Sequence, residues 1–180
     1  MLWITIPALE CWDESKNEFV YYKEQTIQLE HSLVSIAKWE SRWHKAFLKK
    51  DQKTNDEILD YIRFMTITQN VDPSVYMRLT ELNYKQIQDY IDSPMTATYI
   101  PKDENSKGSS EIPTAELIYY WMISFNIPFE CQKWHLNRLL ALINVCNIKN
   151  RPPKKMSKRD LLSRNARINA ANRKRFNSKG

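Results

Sequence analysis

The chain has 180 residues, of which 42% are hydrophobic, and it contains only two glycines. This length predicts one domain with an extension or two very small domains, and the lack of glycine argues against glycine-cradled phosphate sites and turn-rich all-β folds. The segment from Lys149 to Gly180 holds 12 of the 27 basic and one of the 21 acidic residues, so this tail carries +11 while residues 1–148 carry −5.

The compartment is indicated by the apolar runs and the cysteines. No apolar run is long enough to span a bilayer, and residues 1–7 have no basic segment before their apolar stretch, so we expect neither a membrane span nor a signal peptide. The three cysteines, Cys11, Cys131 and Cys146, are scattered and odd in number. They favour reduced thiols in a cytoplasm over a disulfide framework.

An N-terminal β-hairpin is predicted for residues 1–25. Apolar residues alternate over residues 2–6, and residues 18–23 are aromatic and β-branched, which is typical of strands. The polar segment 13–17 between them predicts the turn. Two strands alone are marginally stable, so we expect this hairpin to pack on the rest of the protein.

Residues 26–150 predict a bundle of about six helices, which makes the fold class mainly α with a small β component (α+β). Thr54 and Glu57 form a capping-box pattern, and Asp72-Pro73 places an N-cap before a proline. The proline-containing segment 93–113 predicts a long loop. The predicted helix starts are Thr26 or Leu29, Thr54, Asp72, Asn83, Thr114 and Glu130.

Residues 151–180 predict a basic extension that contains one more helix, from Ser157 to Phe176. Ser157 and Asp160 provide its N-cap pattern, and its apolar residues are too sparse for a core element. Its charges are not confined to one face, which favours general electrostatics over base readout; phosphate binding, docking on an acidic protein and a solvated extension all remain open. The candidate electrostatic residues are Lys154, Lys155, Lys158, Arg159, Arg164, Arg167, Arg173, Lys174 and Arg175.

Catalytic and metal-binding patterns are weak. Cys131 and His135 are four residues apart, but a zinc site needs about four ligands, so a buried thiol and a hydrogen-bonded histidine are the favoured interpretation. The sequence contains no nucleophile elbow and no glycine-rich phosphate loop. We therefore predict a protein that is not an enzyme and that uses neither a metal nor a cofactor.

Aromatic residues are the more informative group. Trp39 and Trp43 lie four apart in the first predicted helix, and Tyr120 and Trp121 are neighbours in the fifth. An aromatic run as dense as residues 119–122 covers more than one helical face, so part of it is expected to meet a second surface. These four rings are candidates for binding a partner, although each of them is also typical of an ordinary core.

Several segments resemble small proteins of siphophage and prophage tail-gene clusters. They are LEHSLVSIAKWE at residues 29–40, ELIYYWM at 116–122, IPFEC at 127–131, WHLNRLL at 134–140 and PPKKMS at 152–157. Such proteins are described as tail assembly chaperones. The resemblance covers nearly the whole chain and is weakest at residues 103–111.

The resemblance implies a non-catalytic holdase for the tape measure protein, the long helical protein that sets tail length, with tail tube protein as a further partner. It implies a place in the cytoplasm of the bacterial host and absence from the mature virion. A client helix is expected to lie in a groove lined by Trp39, Trp43, Tyr120 and Trp121. Homo-oligomer formation stays open, and a nucleic-acid-binding accessory protein and a structural tail or head-completion protein are the alternatives.

Overall fold

The structure is a computed structural model that describes residues 1–14, 17–98, 111–151 and 157–177. Within these residues the fold is α+β and mostly helical, as predicted, with four N-terminal strands in two antiparallel sheets. The strands are β1 (Leu2–Ile6), β2 (Leu9–Asp13), β3 (Glu18–Tyr22) and β4 (Gln25–Leu29). The α-helices are α1 (Leu33–Trp43), α2 (Asn55–Met65), α3 (Ser74–Met77), α4 (Glu81–Asp92), α5 (Ala115–Ser124), α6 (Leu136–Asn150) and α7 (Lys158–Phe176).

The chain divides into two compact units, Met1–Ile148 and Lys149–Gly180. The first unit contains the core, to which β1, β4, α1, α2, α5 and α6 all contribute fully buried apolar side chains. The second unit contains α7, none of whose residues is buried, in agreement with its sparse apolar pattern. Within the described residues, no helix is both long enough and apolar enough to cross a membrane.

The strand pairing differs from the predicted hairpin. Residues 2–6 do not pair with residues 18–23; β1 pairs with β4 and β2 pairs with β3, both antiparallel. The two ladders keep one register, with Ile6 opposite Gln25 and Leu9 opposite Tyr22, so together they form one long hairpin. Pro7 has no amide hydrogen to donate, and the ladder is interrupted at that point.

The first helix also begins later than predicted. Thr26 and Leu29, the expected helix starts, lie in β4, where Ile27 and Leu29 point into the core and are fully buried. The side chain of Ser32 accepts a hydrogen bond from the amide of Ser35 and starts α1 at Leu33. The alternation of Ile27 and Leu29, together with their pairing to β1, outweighs the helical spacing that continues from Leu29 into α1.

Two of the other helix starts follow the predicted positions, and two differ from them. Thr54 and Glu57 form the predicted capping box at α2, and Thr114 caps α5. The predicted N-cap at Asp72 is wrong: its carboxylate accepts the amide of Ser74 (2.8 Å), but the N-cap of the four-residue helix α3 is Pro73, which makes no side-chain cap hydrogen bond. Helix α4 begins at Glu81, two residues before the predicted start near Asn83, because Thr80 caps it and the Asn83 side chain completes a capping box with Thr80.

The predicted helix from Glu130 is split into two. Phe129–Lys133 forms a short 3-10 helix, and α6 begins at Leu136. Between them the amide of Leu136 donates to the carbonyl of His31 (2.7 Å), and His135 forms an isolated β-bridge with Ser32. This pairing with the segment before α1 holds the backbone extended at Trp134 and prevents one continuous helix.

Candidate functional site

The four candidate rings do not line one groove. Trp39 is 1% exposed, and its Nε1 donates to the carbonyl of Glu57 (2.8 Å), so it is a core residue. Trp43 is half-buried beside it, with ring centroids 6.5 Å apart. The other two rings lie on α5, where Tyr120 is exposed and Trp121 is half-buried. Only this second pair contributes to an apolar surface.

Helix α5 presents apolar side chains on nearly every side. Ala115, Ile118 and Met122 recur at helical spacing and are buried in the core. On the outward side, Tyr120 and Ile123 are 62% and 61% exposed. A helix that is apolar all round is normally covered on all sides, so its exposed half is a candidate contact surface.

A surface cavity adjoins this helix. It has a volume of about 260 Å³, and Trp121 of α5 and its C-cap residue Phe125 line it together with Leu140 and Ile143 of α6. Asn144 and Asn147 of α6 complete its lining with polar amides. The apolar lining of the cavity and the exposed apolar residues on the outer side of α5 are here called together the α5–α6 surface: Tyr120, Trp121, Ile123, Phe125, Leu140 and Ile143.

The chemistry of the α5–α6 surface suits apolar contact. Its only charged neighbour on α5 is Glu116, in the first turn, and its polar lining is uncharged amide. The amides at the edge can donate hydrogen bonds to, and accept them from, the polar side of a docked peptide. The aromatic rings supply contact area with few rotatable bonds. No described residue there forms a nucleophile–base pair.

A second apolar surface was missed at the sequence level. Strands β2 and β3 place Trp12, Phe19 and Tyr21 on one face, where they are 47%, 67% and 64% exposed. The Trp12 and Phe19 rings meet edge to face with centroids 4.9 Å apart. In the sequence, the apolar residues Leu9 and Cys11 alternate with the polar Glu10. This alternation is the signal from which β2 could have been predicted.

Two histidines form a buried polar cluster. The rings of His31 and His135 lie 5.0 Å apart, and the residues are 2% and 5% exposed. His135 Nε2 donates to the carbonyl of Tyr90 (2.9 Å), and its Nδ1 accepts the amide of Asn137 (3.3 Å), which fixes a neutral tautomer. His31 Nδ1 is hydrogen-bonded to the hydroxyl of Tyr61.

The protonation of this cluster is set by burial. Burial first, and the nearby His135 second, lower the pKa of His31 to about 3 against an opposing effect of Asp92. Burial also lowers the pKa of His135. Both rings are therefore neutral at neutral pH, and their low exposure keeps solutes away from them, so the cluster acts as a structural link between the segment before α1 and the start of α6.

The candidate metal pair does not gather further ligands. Cys131 is buried in the 3-10 helix, and His135 is occupied by its hydrogen bonds, which is the favoured interpretation from the sequence. Among the residues that the structure describes, no group of three or more His, Cys, Asp or Glu is arranged to hold a metal ion.

The structure describes part of the basic tail. The residues on α7 are exposed, and Ser157 caps the helix by accepting the amide of Asp160 (3.1 Å). Two of the nine candidates, Lys154 and Lys155, lie outside the described residues. The seven on α7 are Lys158, Arg159, Arg164, Arg167, Arg173, Lys174 and Arg175.

No protein-family model, curated protein or solved structure matches this chain.

Proposed function

We propose that this protein is a phage tail assembly chaperone that binds a helical client, the tape measure protein, on the α5–α6 surface. The observation that carries the proposal is the combination of Tyr120 and Ile123, both more than half exposed, with the adjoining cavity of about 260 Å³. The resemblance of residues 116–122 to the chaperones falls on the same helix. The partners, the tape measure protein and the tail tube protein, follow from that resemblance.

The mechanism is reversible coverage of apolar surface. An unassembled tape measure exposes apolar stripes at helical spacing, and a client helix can lay such a stripe along α5 with a large side chain inserted between Trp121 and Leu140. Binding lowers the concentration of free client and therefore its self-association. The chaperone needs neither nucleotide nor metal for this, and it acts in the host cytoplasm and leaves before the virion is complete.

Client solubility tests the proposal. The full chain is co-expressed with the tape measure protein of the same tail-gene cluster, and the soluble client is measured by quantitative blotting. The variant Tyr120→Ser/Ile123→Ser removes exposed apolar side chains without touching the core, so we expect normal folding and a several-fold loss of soluble client. Leu82→Ser, which removes a still more exposed apolar side chain (73%) from α4, is the control and should keep wild-type activity.

Three results contradict the proposal. The first is equal client solubility with and without the chaperone. The second is equal loss in the α5 variant and in the Leu82→Ser control. The third is the chaperone itself in purified virions at stoichiometric amounts by mass spectrometry, which would favour a structural tail or head-completion protein.

A further inference from the structure

The charge on α7 is dense and almost entirely basic. Between Ser157 and Asn177 the chain has seven basic residues and one acidic residue, Asp160. Asp160 is engaged at the N-terminus, where it accepts the hydroxyl of Ser157 (2.7 Å). The rest of the helix is therefore a basic rod whose side chains are all exposed.

One face of α7 carries a row of amides. Asn165, Asn169 and Asn172 follow one another at spacings of four and three residues, so they share one face of the helix. Leu161 and Ile168 lie beside this row and are 44% and 45% exposed. Helix α7 thus exposes carboxamides and aliphatic side chains next to each other, and none of them is buried among the residues described here.

Arginines flank the amide row on both sides. Arg164 and Arg175 are separated by about three turns and Arg159 and Arg173 by about four, so each pair lies along one side of the helix. At 3.6 residues per turn, the two pairs fall on opposite sides of the amide row, each about a quarter turn from it. Four of the seven basic residues therefore form two rows that flank the amide row. Of the others, Lys158 lies at the N-terminal end of the amide row, and Arg167 and Lys174 lie on the opposite side of the helix.

We propose that α7 docks in the major groove of duplex DNA. The two arginine rows contact phosphates on the two walls of the groove, and the amide row faces the base edges. Asparagine can pair bidentately with adenine, and an aliphatic side chain can contact the thymine methyl group, so A·T-rich sequence is the preferred class. The proposal is independent of the α5–α6 surface.

Other partners fit this arrangement less well. A membrane surface requires a continuous apolar face opposite the charges, but the amides occupy the centre of that face. An acidic protein surface is matched by one basic stripe, whereas two rows on opposite sides match two lines of phosphate. The deep, narrow major groove of A-form RNA does not admit side chains as the wide groove of B-DNA does.

Salt-dependent binding tests the phosphate contacts. The full chain is titrated into a fluorescent 24-base-pair duplex, and anisotropy gives the affinity between 50 and 200 mM KCl. Four phosphate contacts predict a slope of about −3.6 in log affinity against log salt. The variant Arg159→Gln/Arg173→Gln should reduce the slope by about 2. Lys50→Gln/Lys85→Gln, which removes the same charge from exposed positions of the first unit, should leave it unchanged.

Sequence preference tests the amide row. We expect about tenfold tighter binding to an A·T-rich than to a G·C-rich duplex. Asn165→Ala/Asn169→Ala/Asn172→Ala should bring this ratio close to one and keep the salt slope, since alanine maintains the helix. The proposal is overturned by equal slopes in the arginine and lysine variants, by unchanged preference in the alanine variant, by equal binding to duplex RNA, or by polyglutamate competing as well as unlabelled DNA.

Discussion

The buried pair His31 and His135 makes the first unit sensitive to acid. Burial lowers the pKa of His31 to about 3 and also lowers that of His135, whereas an unfolded histidine titrates near 6.5. Below pH 6.5 the unfolded chain therefore binds more protons than the folded one. Above this pH the two histidines do not reduce the free energy of unfolding. As the pH falls below it, the free energy of unfolding decreases by up to about 1.4 kcal/mol per pH unit for each histidine.

Urea unfolding at pH 6.5, 5.8 and 5.0 measures this effect above the range where most carboxylates titrate. We expect the unfolding midpoint to fall steadily with pH. The His31→Gln variant should be less stable at pH 6.5 because it loses the contact with Tyr61, but its midpoint should depend less on pH. His44→Asn, at an exposed helix end with positive φ, is the control and should retain the full dependence. A midpoint that stays constant over this range would refute the assignment.

At the scale of elements, Arg78 is expected to fix the ribbon formed by β2 and β3. Its guanidinium donates to the carbonyls of Pro7 (3.0 Å) and Lys23 (3.5 Å), on the two sides of the interruption in the hairpin. It also lies 5.0 Å from the ring of Tyr22. These contacts replace ladder bonds that Pro7 cannot make, and a charged hydrogen bond of this kind contributes about 1.5–3 kcal/mol.

The Arg78→Ala variant should therefore increase hydrogen exchange at the amides of β2 and β3 by at least tenfold. The core amides of β1 and β4 should keep most of their protection, because their side chains Ile4 and Ile27 stay buried. Arg63→Ala, which removes an exposed i,i+3 partner of Asp60, is the matched control. Unchanged exchange in the ribbon would show that Arg78 does not anchor it.

How much of each element could be predicted depends on where its determinants lie. The caps at Thr54, Thr114 and Ser157 were identified because a cap is formed by residues within one helical turn. The strand β4 was mistaken for a helix start, since its state is decided by pairing with β1, more than twenty residues away. The late start of α6 depends on the His31 carbonyl, which no local pattern in the sequence reveals.

At the scale of the whole molecule, the candidate site was likewise predictable only where its determinants are local in the sequence. The spacing of Trp39 and Trp43 indicates one shared helical face, and the aromatic run 119–122 indicates more than one face of another helix, but neither pattern indicates which face the core takes. The structure buries Trp39 against α2 and leaves Tyr120 outside. The basic character of the tail was predictable from composition alone, whereas its two arginine rows follow from the helical backbone of α7.

The two units should also differ in how their helices melt. Helix α7 has 19 residues and none of them is buried, so it lacks the tertiary packing that supplies most of the stability of helices in proteins. Its carbon chemical shifts should therefore move gradually toward coil values on warming. The first unit, with Ile118 and Leu139 fully buried, should unfold in one cooperative transition at higher temperature. Slow amide exchange in α7, equal to that of Leu139, would instead mean that α7 is packed in solution, and its amide row would then be unavailable to DNA.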